Sequence, residues 1–145
     1  MKKILSILIL IVVASSCSSS SDSKTVDNNV VGKWTEEKDT SYKNDGTVVT
    51  ENFASDDECY HMTTYEYKAD NSFVKISYDF VTNDCVQNPV RTGTWSASTS
   101  SLSVTVNGST DSTEIISVSS TKLVLKKVQS SPIYDYKIIE YSKVN

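Results

Sequence analysis

From Val30 to the C-terminus the chain changes texture about every ten residues, and that rhythm restricts its fold more than any other feature. Short runs rich in Val, Ile, Thr and Tyr alternate with clusters of Asn, Asp, Ser and Gly, the pattern of an all-β sandwich or barrel. The segments 30–37, 47–54, 62–69, 72–80, 90–98, 101–107, 112–119, 121–128 and 134–144 read as strands. No window of this region carries a helical period; only ASDDEC (54–59) suits a single helical turn. YKNDG (42–46), DN (70–71), NGSTD (107–111) and SSP (130–132) are turn chemistry. Connections this short make sequential strands antiparallel neighbours in a meander.

One hairpin yields a definite register. A two-residue turn at Asp70–Asn71 sets Tyr67 against Val74, Tyr65 against Ile76, Thr63 against Tyr78 and His61 against Phe80, all on one face. The opposite face is then polar except for Phe73. In SLSVTVN (101–107) the alternation is cleaner: Leu102, Val104 and Val106 point one way, and Ser101, Ser103, Thr105 and Asn107 the other.

The N-terminus speaks to compartment. Lys2 and Lys3 precede an apolar run, ILSILILIVVA (4–14), which falls short of the roughly 20 residues a spanning helix needs. A positive start, a short apolar core and then small residues read as a secretory signal peptide. The sequence ASSC (14–17) resembles a bacterial lipoprotein signal, with Ala14 where that signal usually carries Leu. The resemblance implies a signal peptide over 1–16, cleavage before Cys17 and lipid on the Cys17 sulfur. Several acyl chains give a stable anchor, at about 0.8 kcal/mol per buried CH₂. The alternative is ordinary secretion with a free thiol near the new terminus. Residues 18–29 are polar and aperiodic, so 17–29 reads as the lipidated cysteine and a flexible tether with a reach of about 20 Å.

Removing Lys2 and Lys3 takes the formal net charge from −4 to −6. An acidic domain without a basic cluster argues against nucleic acid as a partner, and leaves membrane association to the anchor. Two cysteines then remain, Cys59 and Cys85, at the open end of the hairpin. In an exported chain an even pair reads as one disulfide. A metal or redox pair is the alternative, but the spacing is not CxxC and His61 is the only histidine to join it. No metal site and no cofactor is expected.

Both tryptophans follow a glycine by two residues, in VGKW (31–34) and TGTW (92–95). Together with YEYKADNSF (65–73), GTWSAS…LSVTV (93–106) and TKLVLKK (121–127), in that order, they resemble the lipocalin-like domain of many Bacteroidota lipoproteins. The resemblance spans 30–144, with Asn71 where that family usually has glycine. It implies an antiparallel up-and-down β-barrel of about eight strands over 30–145, able to hold a small ligand. It also implies that Gly32 and Trp34 close the bottom of the barrel, and that the protein sits in the bacterial envelope, at the outer membrane. Asp111-Ser112-Thr113 resembles a Bacteroidota O-glycosylation pattern with Ser112 as acceptor.

The candidate ligand-lining or core residues are Tyr65, Tyr67, Ile76, Tyr78 and Trp95. The tyrosines either line a pocket, with hydroxyls to orient a ligand, or form a packed wall; Trp95 reads as core. No G-x-S-x-G, P-loop or HExxH occurs, and no acid–base pair nominates a catalyst, so the chain reads as a non-enzyme. The expected function is an envelope protein that binds a small, partly hydrophobic molecule. The alternative is a filled barrel that acts as an interaction module.

Overall fold

The computed structural model of the protein describes residues 29–57 and 59–145. The expected signal peptide, Cys17 and nearly all of the tether lie outside the described residues. Asn29 and Val30 are helical and lead into β1 (Gly32–Tyr42), which is followed by β2 (Val48–Phe53), β3 (Thr64–Tyr67) and β4 (Ser72–Ile76). Next come β5 (Tyr78–Val81), β6 (Asp84–Gln87), β7 (Arg91–Ala97) and β8 (Ser101–Val106). The chain ends with β9 (Ser109–Val118), β10 (Lys122–Val128) and β11 (Tyr136–Lys143). Two 3₁₀ turns, Ala54–Asp56 and Tyr60–Met62, lie between β2 and β3, where one helical turn was expected.

Strands β11, β10, β9, β8, β7, β4, β3 and β1 are hydrogen-bonded in that order, and β11 returns to β1. The sheet is therefore a closed, eight-strand antiparallel barrel, the expected fold, with no free edge around its girdle. β1 is long enough to serve two neighbours on one edge. Its first half pairs with β3, with Trp34 opposite Tyr65; its second half pairs with β2, with Lys38 opposite Phe53.

Two local features decide which side chains enter the barrel. The first corrects the hairpin register. Lys68 N donates to Ser72 O (2.9 Å), Asn71 N donates to Lys68 O (3.0 Å), and Asn71 sits at φ 65°. The loop thus uses three residues, with Asn71 as the left-handed bulge, rather than two. Tyr67 then faces Phe73, and Tyr65 faces Lys75. Because side chains alternate, this one-residue slip turns Val74 and Ile76 outward and brings Phe73 and Lys75 in. The second feature is a register shift between Glu36 and Lys38 in the β1–β11 pairing. It breaks the two-residue period of β1, so Glu36 and Asp39 both face the interior while Lys38 pairs outside with Glu51.

The expected strand 72–80 also divides. β3 begins opposite Ile76 and β7 begins opposite Lys75, so beyond Ile76 the chain has lost both neighbours. Its backbone groups must find partners elsewhere. They find them in β6, which pairs with β5 through a Thr82–Asn83 turn, both residues at positive φ. This small hairpin overhangs the barrel mouth, and Asn88 N donates to Ser77 O (2.8 Å) at its base. His61 does not face Phe80, as the register had it; it lies in the second 3₁₀ turn, and Cys85 is opposite Phe80.

The core fills the lower end of the barrel with Val30, Trp34, Tyr67, Phe73, Trp95, Leu102 and Leu123. Trp34 is fully buried, and its Nε1 donates to Val30 O (2.8 Å). Trp95 Nε1 donates to Lys68 O (2.9 Å), which ties the β3–β4 loop to β7. Both glycines of the G-x-W pairs are constrained by close approach. A Cβ on Gly93 would lie 2.0 Å from Thr105 O, inside the neighbouring strand. Gly32 holds φ +145°, and a Cβ there would lie 2.2 Å from Lys143 Cε. That lysine crosses the barrel end: its Nζ donates to Val31 O (2.7 Å) and lies 5.1 Å from the centre of the Trp34 ring.

Candidate functional site

Each barrel strand carries an inward row that changes character from bottom to top. β1 runs Trp34, Glu36, Asp39; β4 runs Phe73, Lys75; β7 runs Trp95, Gly93, Arg91. β10 runs Leu123, Leu125, Lys127, and β11, in the reverse sense, Tyr141, Ile139, Lys137. Above the packed base the rows enclose a cavity of about 850 Å³. Its lower wall is Phe73, Leu102, Val104, Leu125 and Ile139, with Tyr65, Tyr67 and Tyr141 around them. Its mouth carries Asp39, Asp111, Lys75, Arg91, Lys127 and Lys137.

A phenol–carboxylate network stands at the middle of the cavity. Asp57 Oδ1 accepts from the backbone N–H groups of Cys59 (2.9 Å) and Tyr60 (2.8 Å), and so fixes the 3₁₀ turn that brings Tyr60 over the barrel. These same bonds hold the Asp57 carboxyl below its ordinary value. The Tyr60 hydroxyl donates to Glu36 Oε2 (2.8 Å). Burial raises the Glu36 carboxyl above its usual range, and the nearby Asp39 adds to this against the opposing Tyr60 hydrogen bond. Burial pushes Tyr65 up to about 12, helped by the Glu36 charge, and raises Tyr60 and Tyr141 as well. These phenols stay protonated near neutral pH and present hydroxyls, not charges, to whatever enters. Lys75 is shifted the other way: burial lowers its ammonium, and neighbouring Arg91 adds to the effect.

The mouth is shaped by the Cys59–Cys85 disulfide, with Cα atoms 5.4 Å apart. It joins the 3₁₀ segment bearing Tyr60 to β6 of the overhanging hairpin. A second space of about 590 Å³ lies beside this hairpin, and Tyr60, Lys75, Arg91, Val106 and Asn107 line both it and the main cavity.

Residues 30–125 match the lipocalin-like domain family. The chain belongs to that family. A lipocalin-like protein from Bacteroides uniformis has a similar fold, with a TM-score of 0.52 and 14% identity over 80% of this chain and 99% of that one. At that identity the likeness concerns the fold alone. No curated protein matches the chain.

Within the lipocalin-like barrel the sequence-derived candidates separate. Tyr65 and Tyr67 line the cavity, and Tyr65 meets Tyr141 edge to face at 5.3 Å. Trp95 is buried below the cavity and packs edge-on against Tyr67 at 5.5 Å. Ile76 is on the outer face of β4, because of the three-residue loop. Tyr78 lies on β5 outside the main cavity, where it lines the second space and its hydroxyl donates to Gln87 Oε1 (3.3 Å). Ser112 is exposed on β9, its hydroxyl 2.8 Å from that of Ser103. Sequence reasoning missed Glu36, Asp39, Tyr60, Lys75, Arg91, Lys127 and Lys137. A signal for some was present: KLVLKK and SFVKI each place a lysine two residues beyond an inward apolar side chain, the sign of a strand leaving a core for a polar mouth.

Proposed function

We propose that this protein binds a small, partly apolar molecule inside its barrel, held at the bacterial envelope by lipid on Cys17. The observation that carries the reading is the cavity of about 850 Å³, apolar below and hydroxyl-bearing at mid-height. Its volume falls in the range of ligand pockets, roughly 300–1,000 Å³, and its mixture of apolar walls with few convergent polar groups is theirs too. A filled barrel serving purely as an interaction module would lack such a space, so the cavity weighs against that alternative. Binding is favoured over catalysis because the cavity carboxylates are engaged by neighbours rather than poised against a nucleophile.

The test of binding uses the unlipidated mature chain, residues 17–145, oxidised, with the neutral fluorophore N-phenyl-1-naphthylamine. Its emission should rise saturably at one site per chain. Val104→Trp, which places an indole in the cavity, should abolish the rise while far-UV dichroism keeps its β signature. A full response in the blocked variant would move binding off the cavity. For the anchor, the ASSC motif supports lipid on Cys17, and Cys17→Ala should lose both metabolic palmitate labelling and membrane fractionation. Retained labelling would refute that part.

A further inference from the structure

We propose that the cavity is built for a single-chain amphipathic molecule with an anionic head group, the head held by Lys75 and Arg91 and the chain directed onto Phe73, Leu102 and Leu125. The proposal rests on the cavity reading above and names the chemical class of its ligand.

The case comes from which charges are already matched. Three carboxylates line the cavity, and each has a partner. Glu36 accepts from Tyr60; Asp39 is paired with Lys137 (3.0 Å) and accepts from Asn52 Nδ2 (2.9 Å); Asp111 is paired with Lys127. Four cations line the same space. Among the described residues' ion pairs, Lys127 and Lys137 are matched, but neither Lys75 nor Arg91 has a carboxylate. These two sit directly opposite each other on β4 and β7. Of the charges acting on Lys75, Arg91 and Lys127 oppose its ammonium, and Glu36, already held by Tyr60, favours it. The Tyr65 ring face, 5.0 Å from Lys75 Nζ, compensates in part.

Lys75 is half-buried and Arg91 is exposed beside it, and two adjacent like charges are unfavourable unless something negative comes between them. The formal net charge of the chain is −4, so composition does not account for a local excess of cations. Position matters as much as charge. Lys75 and Arg91 line both the main cavity and the space beside the β5–β6 hairpin, so they stand where the two meet. A head group bound there leaves its chain free to run down the apolar wall. An alkyl cation, by contrast, would find two of the three cavity carboxylates already in ion pairs and the third, Glu36, held by the Tyr60 hydroxyl.

The experiment is a displacement series on the oxidised, unlipidated mature chain, with N-phenyl-1-naphthylamine as the neutral reporter. The competitors share one chain length and are used below their micellar concentrations: dodecanoate, dodecyl phosphate, dodecanol and dodecylamine. The tighter of the two anions should bind about tenfold or more strongly than dodecanol, an advantage that shrinks with added salt, and dodecylamine should be weakest. Which anion is tighter distinguishes a carboxylate from a phosphate head. Lys75→Met and Arg91→Met should each pull the anion-to-alcohol ratio toward one, whereas Lys43→Met, on an exposed turn, should leave the ratio as it is. Equal affinity for the anions and dodecanol, or a preference for dodecylamine, overturns the anionic head and leaves the cavity reading standing. If the reporter itself fails to bind, both readings fall together.

Discussion

Trp34→Ala should destabilise the protein by about 3–5 kcal/mol, the range for deleting a large aromatic side chain from a core. Trp34 is 0% exposed and stands between Tyr65 on β3 and Lys143 on β11, where the barrel closes on itself. Its removal leaves a cavity that three strands cannot collapse together, because each is held in register by its other neighbour. It also strips Val30 O of its indole donor and Lys143 of the ring beneath its ammonium. Trp34→Phe should fall between wild type and alanine, since it restores most of the volume but not the donor. Urea denaturation followed by far-UV dichroism measures both. A loss under about 1 kcal/mol for the alanine variant would show that Trp34 does not close the barrel end.

Replacing both Cys59 and Cys85 by serine should cost about 3 kcal/mol. The bridge spans 26 residues of sequence, and a loop of that length loses considerable freedom in the unfolded chain when it is closed. The native state is affected too. The 3₁₀ segment bears Tyr60, whose hydroxyl holds the buried Glu36, and its attachment to β6 limits how far it can swing from the mouth. The serine variant should therefore lose affinity for the neutral reporter as well as stability. Paired urea titrations and reporter titrations of the two proteins are the check. Equal affinity at reduced stability would mean that Asp57, through its bonds to the Cys59 and Tyr60 amides, positions Tyr60 without the bridge.

How far the fold could be read in advance depended on the range of the interactions behind each feature. Most strand positions and turns came through because both are local. Leu102 and Val104 share a face and line the cavity because a strand alternates whatever surrounds it. The Asn107–Gly108 turn, at φ 52° and 78°, is the conformation those two residues favour in a tight hairpin. The β5–β6 hairpin was not legible, since nothing in SFVKISYDF says that β4 runs out of neighbours at Ile76. The β3–β4 register failed on a single residue: whether Asp70–Asn71 makes a two-residue or a three-residue loop is a small local difference, and Trp95, by holding Lys68 O and donating its N–H to Asn71 O (2.9 Å), sits on one of the outcomes.

Local chemistry was thus enough to specify an all-β antiparallel meander, most of its turns and the tryptophan-and-glycine pairs. Those features follow from backbone preference and side-chain alternation, neither of which needs a distant partner. The interior of the barrel was settled by closure. A bulge in β1 turned Asp39 inward beside Glu36, a one-residue slip exchanged Ile76 for Lys75, and pairing with β7 set Arg91 against that lysine. In a sheet a shift of one residue reverses every side chain beyond it, and which shift prevails is set by the sum of contacts around the whole ring. That is why an all-β meander could be anticipated from its strands, and a barrel from the family resemblance, while the charges at its mouth could not.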